Sequence, residues 1–501
     1  MKIILLLPVP LLFALSFAKA QDSLVYWSEI RFESPAEKAA LTAALIKKQP
    51  DYFELFNSGV PSSSNPRDQF YRFLKGLDLS KFQDKKADKK VKFIYESLHK
   101  AFLTKYEAVN LFSDIWKTGY YNCVSATALY SIAFNYFDIP YVIKEKPNHV
   151  YPVAYPHDKQ VIVETTNPMV GSFAFTAQFK ETYIESLRKQ KLISNQEASS
   201  KGVSELFDKY FFKEELDITL AQLVGIQYMN DGIFRLDNEK WLEATWQFEK
   251  AYLFYPSDQV TNGLAASYFK AFQQNQKKDS THALLVARLS RFAKYGITFD
   301  MVKSEFVQAI NSLLFDQGKS AELSTYYKVL SRGLKQKELI EEIDFLYNYE
   351  VGRYYYNQGR YSDSEPYFEK AFSLRPSNQE VQTIFLTLLE RKLRGTTKAD
   401  EAVTVLEKTL QENPLIKTNN NFNTLLATAY LAKFAEDFEN NRPTEGDKYR
   451  LLFEQNFGNN KDLNINDYLI GQAYSTAAVY YFKKNQNTKA KTYIEKGLEY
   501  A

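Results

Sequence analysis

At 501 residues the chain is long enough for two or three domains with sizeable cores. Its 63 basic side chains nearly balance 60 acidic ones, a net charge of +3 that becomes +1 without Lys2 and Lys19. That balance points away from nucleic acid and from an anionic membrane surface. One cysteine, Cys123, excludes an internal disulfide and a cysteine-rich metal site.

In chain order, Lys2 is followed by an apolar run over 3–17 and by Ala18-Lys19-Ala20, the small-residue pattern that signal peptidase reads. Residues 1–20 are predicted to be a cleaved signal peptide, leaving Gln21 as the first residue of an exported, periplasmic or secreted protein. The run is too short and too broken by proline for a membrane span, so no integral membrane segment is expected after cleavage. No cysteine follows it, which excludes a lipoprotein anchor. Residues 21–89 read as a helical N-terminal region with breaks at Ser34-Pro35, Gln49-Pro50 and 61–66. The basic run Lys85–Lys92 is mixed with acid and reads as the solvated start of a helix packed beside the next one.

The next helix carries the chemistry. Asn122 is a good N-cap, and Ala126, Leu129, Tyr130, Ala133, Phe134 and Phe137 follow at the spacing of one buried helical face. Cys123 is then the first helical residue, where the helix dipole and unpaired amides favour a thiolate. Asp138-Ile139-Pro140 ends the helix. Strand-like runs follow at Tyr141–Lys146, His149–Tyr155 and Gln160–Thr166, separated by Pro-Asn and by a turn beginning at Pro156. A four-residue turn sets Tyr151 opposite Glu164; a two-residue turn sets His149 opposite Glu164. Either register leaves imidazole and carboxylate on one sheet face. Taken singly, each residue has an ordinary reading: Cys123 a small buried hydrophobe, His149 a bonded strand residue, Glu164 a solvated one. His157 falls in the turn and is expected to be exposed, His99 to pack within a helix, and His282 has no nameable partner.

Tyr121-Asn122-Cys123-Val124-Ser125-Ala126, then Pro147-Asn148-His149-Val150, then Val163-Glu164-Thr165-Thr166-Asn167-Pro168 resemble the transglutaminase-like branch of the papain-type cysteine enzymes. The resemblance covers roughly Lys90 to Gly171. It implies Cys123 as nucleophile, His149 as general base and Glu164 as the residue orienting the imidazole, in a place where the family commonly has aspartate. Residues 90–210 are accordingly assigned to a transglutaminase-like domain, with 173–206 helical and completing it or lying over its cleft.

From residue 217 to 501 the texture is that of tetratricopeptide repeats, helix pairs recurring about every 34 residues. Gly232, Ala244, Phe248, Ala251 and Pro256 fit the frame; Gly352, Tyr355, Gly359, Tyr361, Phe368, Ala371 and Pro376 fit it more strongly. Tyr481 and Ala490 fit again, and Ala402, Leu406 and Pro414 loosely. The expected fold is thus an α+β transglutaminase-like domain followed by an all-α tetratricopeptide-repeat solenoid of six or seven helix pairs. No phosphate-binding glycine loop, Gly-x-Ser-x-Gly motif or paired metal ligands occur, so no metal, cofactor or nucleotide is expected.

Two functional readings follow. In one, the protein is an exported cysteine hydrolase or acyltransferase acting on polypeptide amides, with its repeats recruiting substrate or partner. In the other, it is a catalytically inactive envelope scaffold binding proteins through the repeat groove. Neither specifies an oligomeric state.

Overall fold

The computed structural model describes residues 23–46, 50–58, 66–82, 87–147, 149–166, 172–174, 177–189, 193–211, 215–395, 398–460 and 462–501. The expected signal peptide at 1–20 lies outside these residues, as do Asn148, Asn167 and Pro168. The chain divides into two compact units, Met1–Gln276 and Lys277–Ala501. Among the described residues no helix is long and apolar enough to cross a membrane.

The first unit is built around the helix Cys123–Tyr136. Every residue from Val124 to Phe134 is buried, so this helix is covered on all sides. It packs on three short strands and on the helices Tyr52–Asn57 and Leu220–Asp237. Tyr95, from the helix Ala87–Phe102, stacks on Tyr130 with ring centroids 5.2 Å apart, as the sequence predicts for neighbouring helices. A short parallel ladder pairs β1 (Lys105–Tyr106) with β2 (Tyr120–Tyr121). The remaining strands are β3 (Tyr141–Lys146), β4 (His149–Ala154), β5 (Val161–Val163), β6 (Ser172–Ala174) and β7 (Leu216–Ile218). They form one antiparallel sheet in the order β6-β5-β4-β3-β7.

This architecture corrects the expected fold class. Helices make up 74% of the described residues, whose strands are few and short, so the α+β transglutaminase-like domain read into residues 90–210 gives way to a mainly helical fold. The physical reason is the reach of the signal. Period-two alternation does place β3, β4 and β5, but it governs only a few residues on either side of each turn. The three segments behind the resemblance describe the surroundings of one cysteine; most of the chain around them carries helical periodicity.

Four helix hairpins share one construction: Leu220–Asp237 with Trp241–Phe254 in the first unit, and Lys337–Asn357 with Tyr361–Leu374, Asn420–Glu439 with Pro443–Asn459, and Asp467–Lys483 with Asn487–Tyr500 in the second. Each turn holds a left-handed residue, respectively Glu239, Gly359, Asn441 and Asn485. In each, the next residue's N–H returns to a carbonyl five positions back: Lys240 to Arg235, Arg360 to Tyr355, Arg442 to Asp437, Gln486 to Tyr481. The frame repeats at side-chain level as well. A Cβ on Gly232 would sit 2.8 Å from Phe248, and one on Gly352 would sit 2.9 Å from Phe368, so a missing side chain in one helix admits an aromatic ring from the next.

Candidate active site at Cys123 and the adjoining cleft

The cysteine is positioned from its N-terminal side. Gly119 ends the preceding helical turn with φ of +74°, where a Cβ would lie 2.5 Å from the Thr104 hydroxyl. Thr104 donates its N–H to the Gly119 carbonyl at 2.8 Å, which aligns β2 beside β1 and delivers the chain to Asn122. The Asn122 side chain accepts from the N–H of Ser125, and the Ser125 hydroxyl accepts from the N–H of Asn122, both at 2.9 Å. Cys123 thus occupies the first helical position, half-buried.

A further residue fixes this cap. Asn110 accepts from the Ser125 hydroxyl at 2.9 Å, and its backbone carbonyl accepts from the Asn122 amide at 3.0 Å. Asn110 carries no signal in the sequence because it belongs to no motif and lies 12 residues before the cap. Only its isolation among Ala108, Val109 and Leu111 hints at a structural role.

His149 opens β4, and Glu164 directly follows β5. Ala154 pairs with Val161 and Val153 with Ile162, and the Gln160 N–H donates to the Tyr155 carbonyl at 3.0 Å, closing a four-residue turn over 156–159, so the two-residue alternative does not occur. β5 ends at Val163, so Glu164 lies one residue beyond it and the pairing with Tyr151 is not formed. The imidazole Nε2 lies 3.7 Å from the Glu164 carboxylate, and the ring is also near enough to Cys123 to interact with its sulfur. The structure therefore brings thiol, imidazole and carboxylate together. Val150, next to His149, is the tie: its buried carbonyl accepts from Thr127, one turn beyond Cys123, and from Thr165, next to Glu164, both at 3.1 Å. Tyr151 stacks on His149 at 5.5 Å and is anchored through its hydroxyl to the buried Glu215 at 2.7 Å.

The electrostatics follow from these contacts. The interaction with Cys123, then that with Glu164, raises the pKa of His149 to about 9 against the opposing effect of burial. For Glu164 burial acts upward, but the nearby His149 imidazole and the hydrogen bonds from the side chain and backbone of Thr166 prevail and hold it at about 2. The imidazole is therefore charged at neutral pH and faces an ionised carboxylate. The other histidines are elsewhere. His157 is exposed in its turn. His99 packs between Tyr95 and Tyr121, and burial lowers its pKa. His282 is buried against the Tyr326 hydroxyl at 2.9 Å, a partner 44 residues away that no local pattern could name.

Cys123 and His149 open onto a cleft of about 910 Å³. Its facing wall comes from the helices Leu220–Asp237 and Asp258–Gln274. Among the described residues no cluster of side chains is arranged to hold a metal ion.

No curated protein matches the chain. Two solved structures are similar at 12% identity: a monomeric IFIT1 mutant with Gppp-AAAA and a further monomeric IFIT1 mutant with m7Gppp-AAAA in the anti conformation of the cap. Each covers 86% of this chain and 100% of its own, with a TM-score of 0.15, too low to carry an argument about fold or ligand. The exclusion of nucleic acid made from net charge gains no support from them. The family comparison locates no transglutaminase-like domain, and it identifies a tetratricopeptide repeat at residues 347–378, over the hairpin in which Phe368 packs against Gly352.

Proposed function

We propose that this chain is a protein-binding helical-repeat scaffold. The observation that carries this reading is the tetratricopeptide match at 347–378, together with the same glycine–aromatic packing and left-handed turn in the hairpin at 220–254. Stacked helix hairpins of this kind bind extended polypeptide on their surface. The test is an overlay of the full-length chain on arrays of extended peptides and on cell-envelope extract. Saturable polypeptide capture is expected; its absence from both removes the scaffold reading. Export is proposed on the apolar run at 3–17 and Ala18-Lys19-Ala20. Mature protein beginning at Gln21 supports it, and retention of Met1 refutes it.

A second reading, for the first unit, is favoured by one observation: the His149 imidazole lies between the Cys123 thiol and the Glu164 carboxylate at the wall of an open cleft. This arrangement suits a cysteine hydrolase or acyltransferase acting on polypeptide amides. The Cys123 sulfur, as thiolate, attacks the amide carbonyl carbon. The C–N bond then breaks, and His149 gives its proton to the departing amine. Water or a second amine attacks the thioester while the now neutral His149 takes the nucleophile's proton, and the C–S bond breaks to return the thiolate. Glu164 holds the ring and stabilises its charged form. Rapid alkylation of Cys123 by iodoacetamide at pH 6–7, slowed about 100-fold or more in His149→Ala, is the expected result. A thiol that reacts only after unfolding leaves the scaffold reading alone.

A further inference from the structure

We infer that the cleft beside Cys123 selects an extended polypeptide bearing a basic side chain close to a large apolar one; this rests on the second reading above, in which Cys123 attacks an amide. At about 910 Å³ the cleft has room for several residues rather than one small amide.

Its charge is on balance acidic. Asp114, Glu145, Asp231 and Asp237 line it, against the His149 ring, which faces Glu164, and Lys146, whose ammonium lies 2.5 Å from the buried Glu215. Among the described residues no arginine lines the cleft. Behind the wall, Arg235 is shared among Asp231, Glu33 and Glu243, so one guanidinium faces three carboxylates. Asp237 is the last residue of its helix, where the carbonyl end of the helix dipole also favours a cation.

The apolar component lies in the same place. Tyr106, Val109, Ile233 and Phe234 are each more than 40% exposed, and all four line this cleft. Large apolar side chains left in water around one concavity mark a binding surface. Phe234 and Ile233 lie three and four residues before Asp237, so one helical face presents ring, branched chain and carboxylate about 5–6 Å apart at Cβ. Alternate side chains of an extended peptide are spaced about 6.5 Å apart. A lysine or arginine two residues from a leucine or phenylalanine therefore reaches Asp237 and Phe234 together.

The test uses the full-length protein and two peptidyl chloromethyl ketones that differ only in carrying Lys-Gly-Leu or Glu-Gly-Leu. The thiolate displaces chloride from either, forming an S–C bond, and labelling is followed by intact mass. The basic probe is expected to label Cys123 about tenfold faster at low salt, with the gap narrowing as ionic strength rises. Asp237→Asn should reduce the gap and Asp237→Lys should abolish or reverse it. Phe234→Ala should raise the half-saturating concentration of the basic probe. Lys159→Glu, at the exposed hairpin turn, is the control that keeps the preference. Equal labelling by both probes, with wild-type Cys123 still alkylated rapidly by iodoacetamide, overturns the inference and leaves the nucleophile intact. Failure of iodoacetamide to label the folded protein overturns the underlying reading, and the inference with it.

Discussion

The hydroxyl of Thr165 donates to the carbonyl of Val150 at 3.1 Å, one residue from Glu164 at one end and one residue from His149 at the other. Thr127 donates to the same oxygen from the helix that begins at Cys123. A single backbone oxygen therefore holds the three elements of the site in register, and both hydroxyls are buried.

Removing one hydroxyl leaves that carbonyl with a partner; removing both does not. Thr127→Val or Thr165→Val alone is expected to cost about 0.5–1.5 kcal/mol, and the double variant about 1–3 kcal/mol more than the singles predict, because a buried acceptor is then orphaned. Urea unfolding of the four proteins measures this. Strict additivity would show that the two bonds act independently of each other.

The charged pair makes a prediction about pH. Folding raises His149 from 6.5 to about 9, so its contribution to stability is complete below pH 6.5 and is lost as pH rises through 9. Folding lowers Glu164 from 4.5 to about 2, so its contribution is present above pH 4.5 and is lost as pH falls through 2. The stability difference between wild type and His149→Gln should therefore be constant between pH 5 and 6.5 and shrink toward pH 9. A difference that grows with pH over that range contradicts the assigned direction.

Deeper in the first unit, Lys250 and Glu37 are both fully buried and 2.7 Å apart, with the Tyr228 hydroxyl 3.0 Å from the same carboxylate oxygen. Lys250→Met strands a buried carboxylate and should destabilise the protein by about 3–5 kcal/mol. Replacing both partners by Lys250→Met with Glu37→Leu should recover most of that loss, since no uncompensated charge remains. Thermal unfolding distinguishes the cases, and a mild effect of the single variant would show that the carboxylate finds another partner.

In the matched repeat, the carbons of Phe368 leave no room for a side chain at Gly352. Gly352→Val is expected to cost about 1–3 kcal/mol through overpacking, and Phe368→Leu in the same chain should relieve part of it. The shift in unfolding midpoint measures both. An unchanged midpoint in Gly352→Val would mean that the hairpin is looser than its geometry implies.

Features set by neighbouring residues are legible in the amino-acid sequence by itself. The cap at Asn122, the place of Cys123 on its helix, the strand beginning at His149 and the glycine–aromatic frame at 232–256 and 352–376 are all decided within a few turns or one hairpin, where hydrogen-bond satisfaction and side-chain period act directly. The tertiary structure alone decided the rest. It chose the four-residue turn, joined Lys250 to Glu37 across 213 positions of sequence, and placed the Leu220–Asp237 helix opposite Cys123 as the wall of a cleft. It also made the chain mainly helical where three short segments had suggested an α+β domain. Those outcomes depend on which apolar faces cover one another and which buried charges meet, and such pairings leave no pattern in the residues adjacent to either partner.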